Sequence, residues 1–540
     1  MKKSIYIGLI SLGLLTGCSD FLEEENKSTA TAESFYLTQE GYNALINSCY
    51  STLRDVYAPV PYMFIGGTDL FFGTGQEAPL GLTAYQTLTP GTSQVGNFFQ
   101  TLYESIQVSN TALHYADLTA QTNDLTTKKG EARFLRVYYY FLLVQHFGGV
   151  SIVSDMVRQP ITHFDRNSAE EVYNFIIDEL LLAEQEVLEN QNDFGRVTKR
   201  AVRHMLAKVY LTKGYEDFGS SSDFEKAAEY ADKAIANESL TVNYEDIFAF
   251  QNDVNPEIIF SVQYDQSSLL NGGRHNWDTP FGPLITGTGE GVFKQLRLKV
   301  SEYLWKVYGE YDSRFEGTFL NVRTSPYVGH YLDEDGYPID KYYPRTAEQY
   351  ADTVTWRAED LENRADTEII PFNDSWWHLN NQSDYPSLKK FDRVQLPDVR
   401  YTHDLFVARL GETYLIAAEA YFKAGDLGTA TERINEVRRR AAMPGHEGEM
   451  MIAQSQIDID FILDERAREL AGEGHRWHDL KRTGKLVERN KLYNPQVSQL
   501  YDNGQDPFMG ANGNLKILRP IPLSVISLDA GDYPQNPAYE

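Results

Sequence analysis

Two stretches of this 540-residue chain place small residues where a pair of helices must touch. That pairing restricts the fold more than any other feature. The clearer stretch is Ala417-Ala418-Glu419-Ala420-Tyr421-Phe422-Lys423-Ala424-Gly425-Asp426, followed by Ala430 and Ile434. Alanines let two helix axes approach closely, and Gly425 permits the tight turn between them. The other runs through Ala207-Lys208-Val209-Tyr210, then Gly214, then Ala227, Tyr230 and Ala234. Between them and the N-terminus, apolar residues recur at spacings of three and four. Ala132, Leu135, Tyr139 and Leu142 mark one helix, and Val172, Phe175, Ile176 and Leu180 mark another. Asp223 is expected to cap the helix through Ala227 and Ala234. No long alternating run indicates a large sheet.

The pairs resemble tetratricopeptide repeats. The expected fold is therefore mainly α, with helices over 34–239 and 401–540 and a long loop-rich excursion over 240–400. In the excursion Pro, Gly, Asp, Asn and Tyr become frequent, and helical periodicity survives only around Val292 to Tyr308. Five of the six tryptophans fall there, at 277, 305, 356, 376 and 377. Trp305 sits on the periodic piece and is expected in the core. The others lie in polar, turn-rich sequence, where ligand contacts concentrate.

The N-terminus carries a leader. Met1-Lys2-Lys3 is basic, and Ile5 to Leu15 is apolar but too short to span a bilayer. Leu15-Thr16-Gly17-Cys18 resembles the lipobox of bacterial lipoproteins, so residues 1–17 read as a signal peptide and Cys18 as the lipidated residue. Residues 18–33 form an acidic tether, beginning Ser19-Asp20-Phe21-Leu22-Glu23-Glu24-Glu25, and 34–540 a single domain. The acidic run resembles the signal that sends Bacteroidetes lipoproteins to the outer face of the outer membrane. Cys49, the second of two cysteines, reads as a small buried hydrophobe. Asp and Glu outnumber Lys and Arg 77 to 49, which disfavours nucleic acid as a partner.

Several further segments belong together: Glu131-Ala132-Arg133-Phe134-Leu135-Arg136 with Phe147-Gly148-Gly149-Val150, Asp312-Ser313-Arg314, and Pro386-Ser387-Leu388-Lys389-Lys390-Phe391. The most specific are Glu465-Arg466-Ala467-Arg468-Glu469-Leu470, Gly474-His475-Arg476-Trp477-His478-Asp479, and the terminal Gln535-Asn536-Pro537. In this order they resemble the SusD/RagB family of nutrient-binding surface lipoproteins. One departure is Arg409-Leu410-Gly411-Glu412, where the family usually follows its Arg with Ala-Glu. The resemblance implies a SusD-like fold and glycan binding without catalysis. It also implies a lipid anchor in the outer membrane and a SusC-like TonB-dependent transporter as partner. It implies no cofactor.

Competing motifs are weaker. Gly287-Thr288-Gly289-Glu290-Gly291 lacks the third glycine of a dinucleotide fingerprint and reads as a loop. His475 and His478 are not in a zincin pattern, so no metal site is expected. Glu465, Glu469 and Glu473 are spaced to share a helix face. With Arg466, Arg468 and Arg476 at hand, they read as structural ion pairs rather than a glycosidase pair. The alternatives to glycan capture are a surface glycoside hydrolase and a repeat scaffold that binds only proteins.

A sugar presents apolar CH faces to aromatic rings and hydroxyls to polar side chains. Trp277 is the first expected platform, with Arg274, Asn276 and Asp278 supplying hydroxyl contacts. Asp69 and Phe72 in Gly66–Gly73, with Tyr85, form a second region that loosely matches the family's binding face. Trp376 and Trp377 are a third.

Overall fold

The computed structural model describes residues 32–74, 78–120, 124–236, 238–249, 252–264, 275–277, 279–281, 297–320, 322–323, 340–359, 367–380, 385–391 and 403–540. Cys18 and the residues before it, Arg274, Asp278 and the glycine run 287–291 lie outside the described residues.

The chain is mainly helical, as its periodicity requires. In the N-terminal part, α1 (Gln39–Tyr57), α2 (Ser93–Ala116), α3 (Leu125–Phe147), α4 (Ala169–Glu186), α5 (Lys199–Lys213) and α6 (Ser221–Ile235) pack each against the next. α3 is buried on almost every side, with Leu135, Val137, Tyr139 and Leu143 inaccessible. The expected pairs form: α5 with α6, and α9 (Leu410–Ala424) with α10 (Leu427–Ala441). They stack on one another through α6 and α9, although the whole stretch 236–409 separates them in the chain. Ala227, Ala231, Ala417 and Ala420 are fully buried at these contacts. A Cβ on Gly214 would lie 2.7 Å from the Phe224 ring, so this turn needs glycine for space. Gly425 needs it for conformation, with φ +87°. Asp223 is not the N-cap of α6. Ser220 is, and Asp223 sits three residues on, its carboxylate accepting from the Ser220 backbone N–H at 2.8 Å.

The excursion leaves from β2 (Ile258–Val262) and returns on β4 (Leu405–Arg409), which pair antiparallel. A second clasp pairs β1 (Phe71–Gly73) with β3 (Leu298–Val300). β3 falls where helical periodicity was expected to run through, and the helix there is only α7 (Glu302–Lys306). α8 (Arg314–Thr318) follows. Trp305, Phe315, Phe319 and Trp376 pack ring against ring, so this part of the excursion supplies core. After α10 come α11 (Ile459–Leu470), α12 (Arg476–Arg482), α13 (Leu486–Tyr493), α14 (Pro495–Asp502) and α15 (Leu523–Leu528). The terminal Gln535-Asn536-Pro537 motif pins the chain end to the frame. Asn536 Nδ2 donates to the carbonyls of Phe147 and Arg519 at 3.0 and 2.7 Å.

Cys49 is fully buried on α1, and burial pushes its thiol up to about 12. Among the described residues no helix is long and apolar enough to cross a membrane.

Candidate ligand-binding surface

Of the expected sugar contacts, Trp277, Asp69, Phe72, Tyr85 and Trp376 are buried within the protein. Trp277 is 1% exposed. Its indole packs among Tyr57, Phe64 and Phe391 at ring distances of 6.1, 5.8 and 5.8 Å, and its Nε1–H donates to Tyr57 O at 2.9 Å. Its polar neighbour Asn276 is engaged too, donating through backbone N–H and Nδ2 to Ala58 O at 3.0 and 2.8 Å. The turn is therefore fastened to the end of α1. A Cβ on Gly474, where φ is +86°, would lie 2.8 Å from the Trp277 ring.

The second region is equally closed. Asp69 is fully buried, and its carboxylate accepts from Arg476 at 2.7 and 2.6 Å and from Arg489 at 2.9 Å. Burial alone would raise this carboxyl, but the two guanidiniums outweigh it and hold it below the usual range. Phe72 is buried beneath the Lys299 ammonium, 5.4 Å from its ring centre. Tyr85 is buried at φ 61°, donating to Gly67 O at 2.7 Å and accepting from Trp477 Nε1 at 3.0 Å. Trp376 is buried against Trp305. Trp377, 4% exposed, is the expected residue that borders an open groove.

These residues nonetheless converge. Trp277 meets Gly474, Asp69 meets Arg476 and Tyr85 meets Trp477, all within four residues at the head of α12. They are buried together there, and none of them lines the open groove beside Trp377.

The glutamate ladder is structural, as expected, and Arg468 is the one expected arginine that joins it, while its other partners come from elsewhere. Glu465 and Glu469 lie on α11, while Glu473 lies in the turn beyond it. Glu465 pairs with Arg314, Arg438 and Arg468, each at 2.8 Å. Glu469 pairs with Arg314 at 2.9 Å, Arg409 at 2.6 Å, and Arg440. Glu473 pairs with Arg409 at 2.6 Å and Lys390 at 2.7 Å. Of the arginines expected from the local sequence, Arg466 instead serves Asp479 at 2.8 Å and Arg476 serves Asp69. Burial pushes all three glutamates up, and the surrounding cations outweigh it, so each is held ionised. The departure at Gly411 has its reason here. A Cβ there would lie 2.5 Å from the Arg409 guanidinium and 2.6 Å from Glu469 Oε1. His475 and His478 are buried, and no cluster of metal-ligand type occurs among the described residues.

The groove beside Trp377 holds about 600 Å³. Tyr303 of α7 and Tyr493 at the end of α13 stack along it, with ring centres 4.4 Å apart and 24° between planes. Sequence reading missed both, because they lie 190 residues apart in the chain and only the fold stacks them. Tyr493 is 36% exposed and Leu492 61%. α7 is fixed by its cap: Ser301 Oγ accepts from Leu304 N at 3.2 Å and donates to Asp69 O at 2.6 Å. α14 begins at Asn494, whose Oδ1 accepts from Gln496 N at 3.1 Å, so Tyr493 stands where two helices meet. Arg489 supports both rings from below, 4.9 and 5.2 Å from their centres. It also donates to Asp464 Oδ1 at 2.6 Å, which in turn accepts from Tyr303 OH at 2.5 Å. Glu302, Lys306, Asp464 and Arg468 line the same groove. The arrangement presents fixed aromatic faces beside charged hydrogen-bonding groups, the chemistry a polyhydroxylated ligand requires.

Comparison with known proteins adds a family. The profile described as SusD family matches residues 256–539, and that described as starch-binding associating with outer membrane matches residues 20–211. SusD-like protein P2 of Formosa agariphila is 25% identical over the whole of both chains. Starch-binding protein SusD of Bacteroides thetaiotaomicron is 26% identical over 74% of each. A solved laminarin binding SusD-like protein superposes with a TM-score of 0.66 at 21% identity, covering 93% of this chain and all of its own. The chain belongs to the SusD family.

Proposed function

We propose that this protein captures a glycan at the cell surface without cleaving it. It then passes the glycan to a SusC-like TonB-dependent transporter from a lipid anchor at Cys18. The observation that carries this reading is the family match along both halves of the chain, 20–211 and 256–539. The relatives named for starch and laminarin binding support a glycan as ligand. The profile described as associating with outer membrane supports the location. The Tyr303–Tyr493 groove is the proposed contact surface, with Trp377 as its wall and Asp464, Lys306 and Arg468 as hydroxyl partners. The loop residues Arg274 and Asp278 remain proposed contributors.

A non-catalytic role agrees with the ladder. A general acid must hold a proton near neutral pH, and Glu465, Glu469 and Glu473 are all kept ionised by buried cations. The test is affinity electrophoresis of the purified protein through gels containing laminarin, starch and other polysaccharides, with reducing-sugar release assayed in parallel. Retardation on at least one polysaccharide without sugar release is expected. Release by pure protein would make it a hydrolase, and free migration through every gel would favour a scaffold that binds only proteins.

A further inference from the structure

A second trough, sharing no lining residue with the Tyr303–Tyr493 groove, opens over α2. Its floor is one stripe of that helix, Gly96, Phe99, Tyr103 and Ile106, spaced for a single face. The extended stretch through Val157 and Ile161 and α15 with Leu528 also line it, and the two are joined where Ala530 N donates to Thr162 O at 2.7 Å. The trough holds about 620 Å³. Its rims are apolar and open to water: Ile161 is 49% exposed and Leu528 81%, with Leu523 nearby on α15 at 56%. Single exposed leucines are ordinary, but several exposed apolar side chains beside one continuous apolar floor mark an interaction site.

The floor's polar groups are engaged within the protein. Tyr103 OH donates to Ser151 O at 2.8 Å, and Tyr533 OH lies 3.3 Å from Ser151 Oγ. The charge on the trough has one sign. Glu104 and Asp529 line it, and no lysine or arginine does. Asp529 pairs with His163 at 2.6 Å, and among the described residues Glu104 accepts from Gln100 at 2.8 Å. Asp55 stands close enough that burial and then the Glu104 charge raise its carboxyl. At the other end Gly96 leaves the helix backbone open. A Cβ there would meet only Pro522, at 3.9 Å. From Gly96 to Gln107 the stripe runs about 16 Å, or three helical turns.

We infer that this trough docks a basic amphipathic helix of a partner protein, its apolar face against the α2 stripe and its lysines or arginines toward Glu104. The length suits anchors at i, i+3, i+4 and i+7. A second copy of this chain is a poor occupant, because each copy carries a net charge of −28. A bilayer is a poor one, because the apolar surface is concave. The inference does not rest on glycan capture.

The test is fluorescence anisotropy of a labelled 18-residue Leu/Lys amphipathic helical peptide titrated with the purified protein. A peptide of the same composition in scrambled order serves as comparison. The ordered peptide is expected to bind at least about tenfold more tightly than the scrambled one. Ile161→Asp with Leu528→Asp should weaken it by at least about tenfold, even though both changes add negative charge. Leu528→Asp alone should weaken it in the same direction, and at 81% exposure that side chain lies outside the core. Leu188→Asp, 51% exposed and not on the trough, should leave binding unchanged. Equal binding of both peptides, or wild-type affinity in the trough variants, overturns the proposal. So does a concentration-dependent dimer in sedimentation that these variants abolish, or binding to phosphatidylcholine vesicles that they abolish.

Discussion

Arg489 joins buried Asp69 to the open groove: its Nε lies 2.9 Å from Asp69 Oδ2, while its far nitrogen reaches Asp464 at 2.6 Å. Removing Asp69 would leave the buried guanidiniums of Arg476 and Arg489 without their shared counter-charge. Asp69→Ala is therefore expected to destabilise the fold by about 3–5 kcal/mol. Urea denaturation checks this, and a variant as stable as wild type would contradict the buried clamp.

Trp277 belongs to the same interior. Trp277→Ala removes an indole enclosed by Tyr57, Phe64 and Phe391, and should cost about 3–5 kcal/mol. The expected signature is a lowered thermal midpoint. Loss of glycan affinity at full stability would instead make it a contact residue.

Tyr493→Ala should behave oppositely. The ring is 36% exposed, so stability is expected to change by less than about 1 kcal/mol. Affinity for a polysaccharide that retards the wild type should fall about tenfold, the effect of losing one central platform. Isothermal titration calorimetry decides it, and unchanged affinity would remove this groove as the contact surface.

Asp404 gives a pH dependence of defined sign. Burial, reinforced by Asp253, raises its carboxyl from 3.8 to about 7, against the hydrogen bonds it accepts from Tyr264 N, Ser261 and Gln263. The folded state therefore keeps a proton that the unfolded chain releases near pH 4. Its contribution to stability falls as pH rises from about 4 to about 7 and is flat above. Asp404→Asn should be more stable than wild type at pH 8, with the difference shrinking toward pH 4. A difference independent of pH would show that Asp404 does not titrate in this window.

Cys18→Ala should shift the protein from the membrane fraction to the soluble one, because acyl chains on Cys18 are the proposed anchor. Fractionation with immunoblotting measures it, and protease treatment of intact cells tests surface exposure of the wild type. A variant still in membranes would place the anchor elsewhere.

What could be read from the sequence divides by the distance over which residues act. The α5–α6 and α9–α10 pairs were legible because Gly214 and Gly425 work within a few residues of the helices they join. The ladder at Glu465 and Glu469 was legible as a face, but Arg314, Arg409 and Arg440 reach it from other elements, up to 155 residues away. Trp277 misled because Asn276 looks like a solvated loop residue, while its partner, Ala58 O, lies 218 residues away. The groove was hidden for the converse reason. Tyr303 and Tyr493 each read as ordinary helix residues, and only the fold stacks them.

The sealed thiol of Cys49 has a practical consequence. Enclosed on α1 and held up near 12, it gives almost no thiolate at neutral pH, and thiolate is the form that maleimides attack. Where Cys18 is acylated or absent, one cysteine engineered at an exposed position, such as Leu188, would therefore take up a single fluorophore. The folded protein carries its own silent reference for labelling, with no need to replace the native residue.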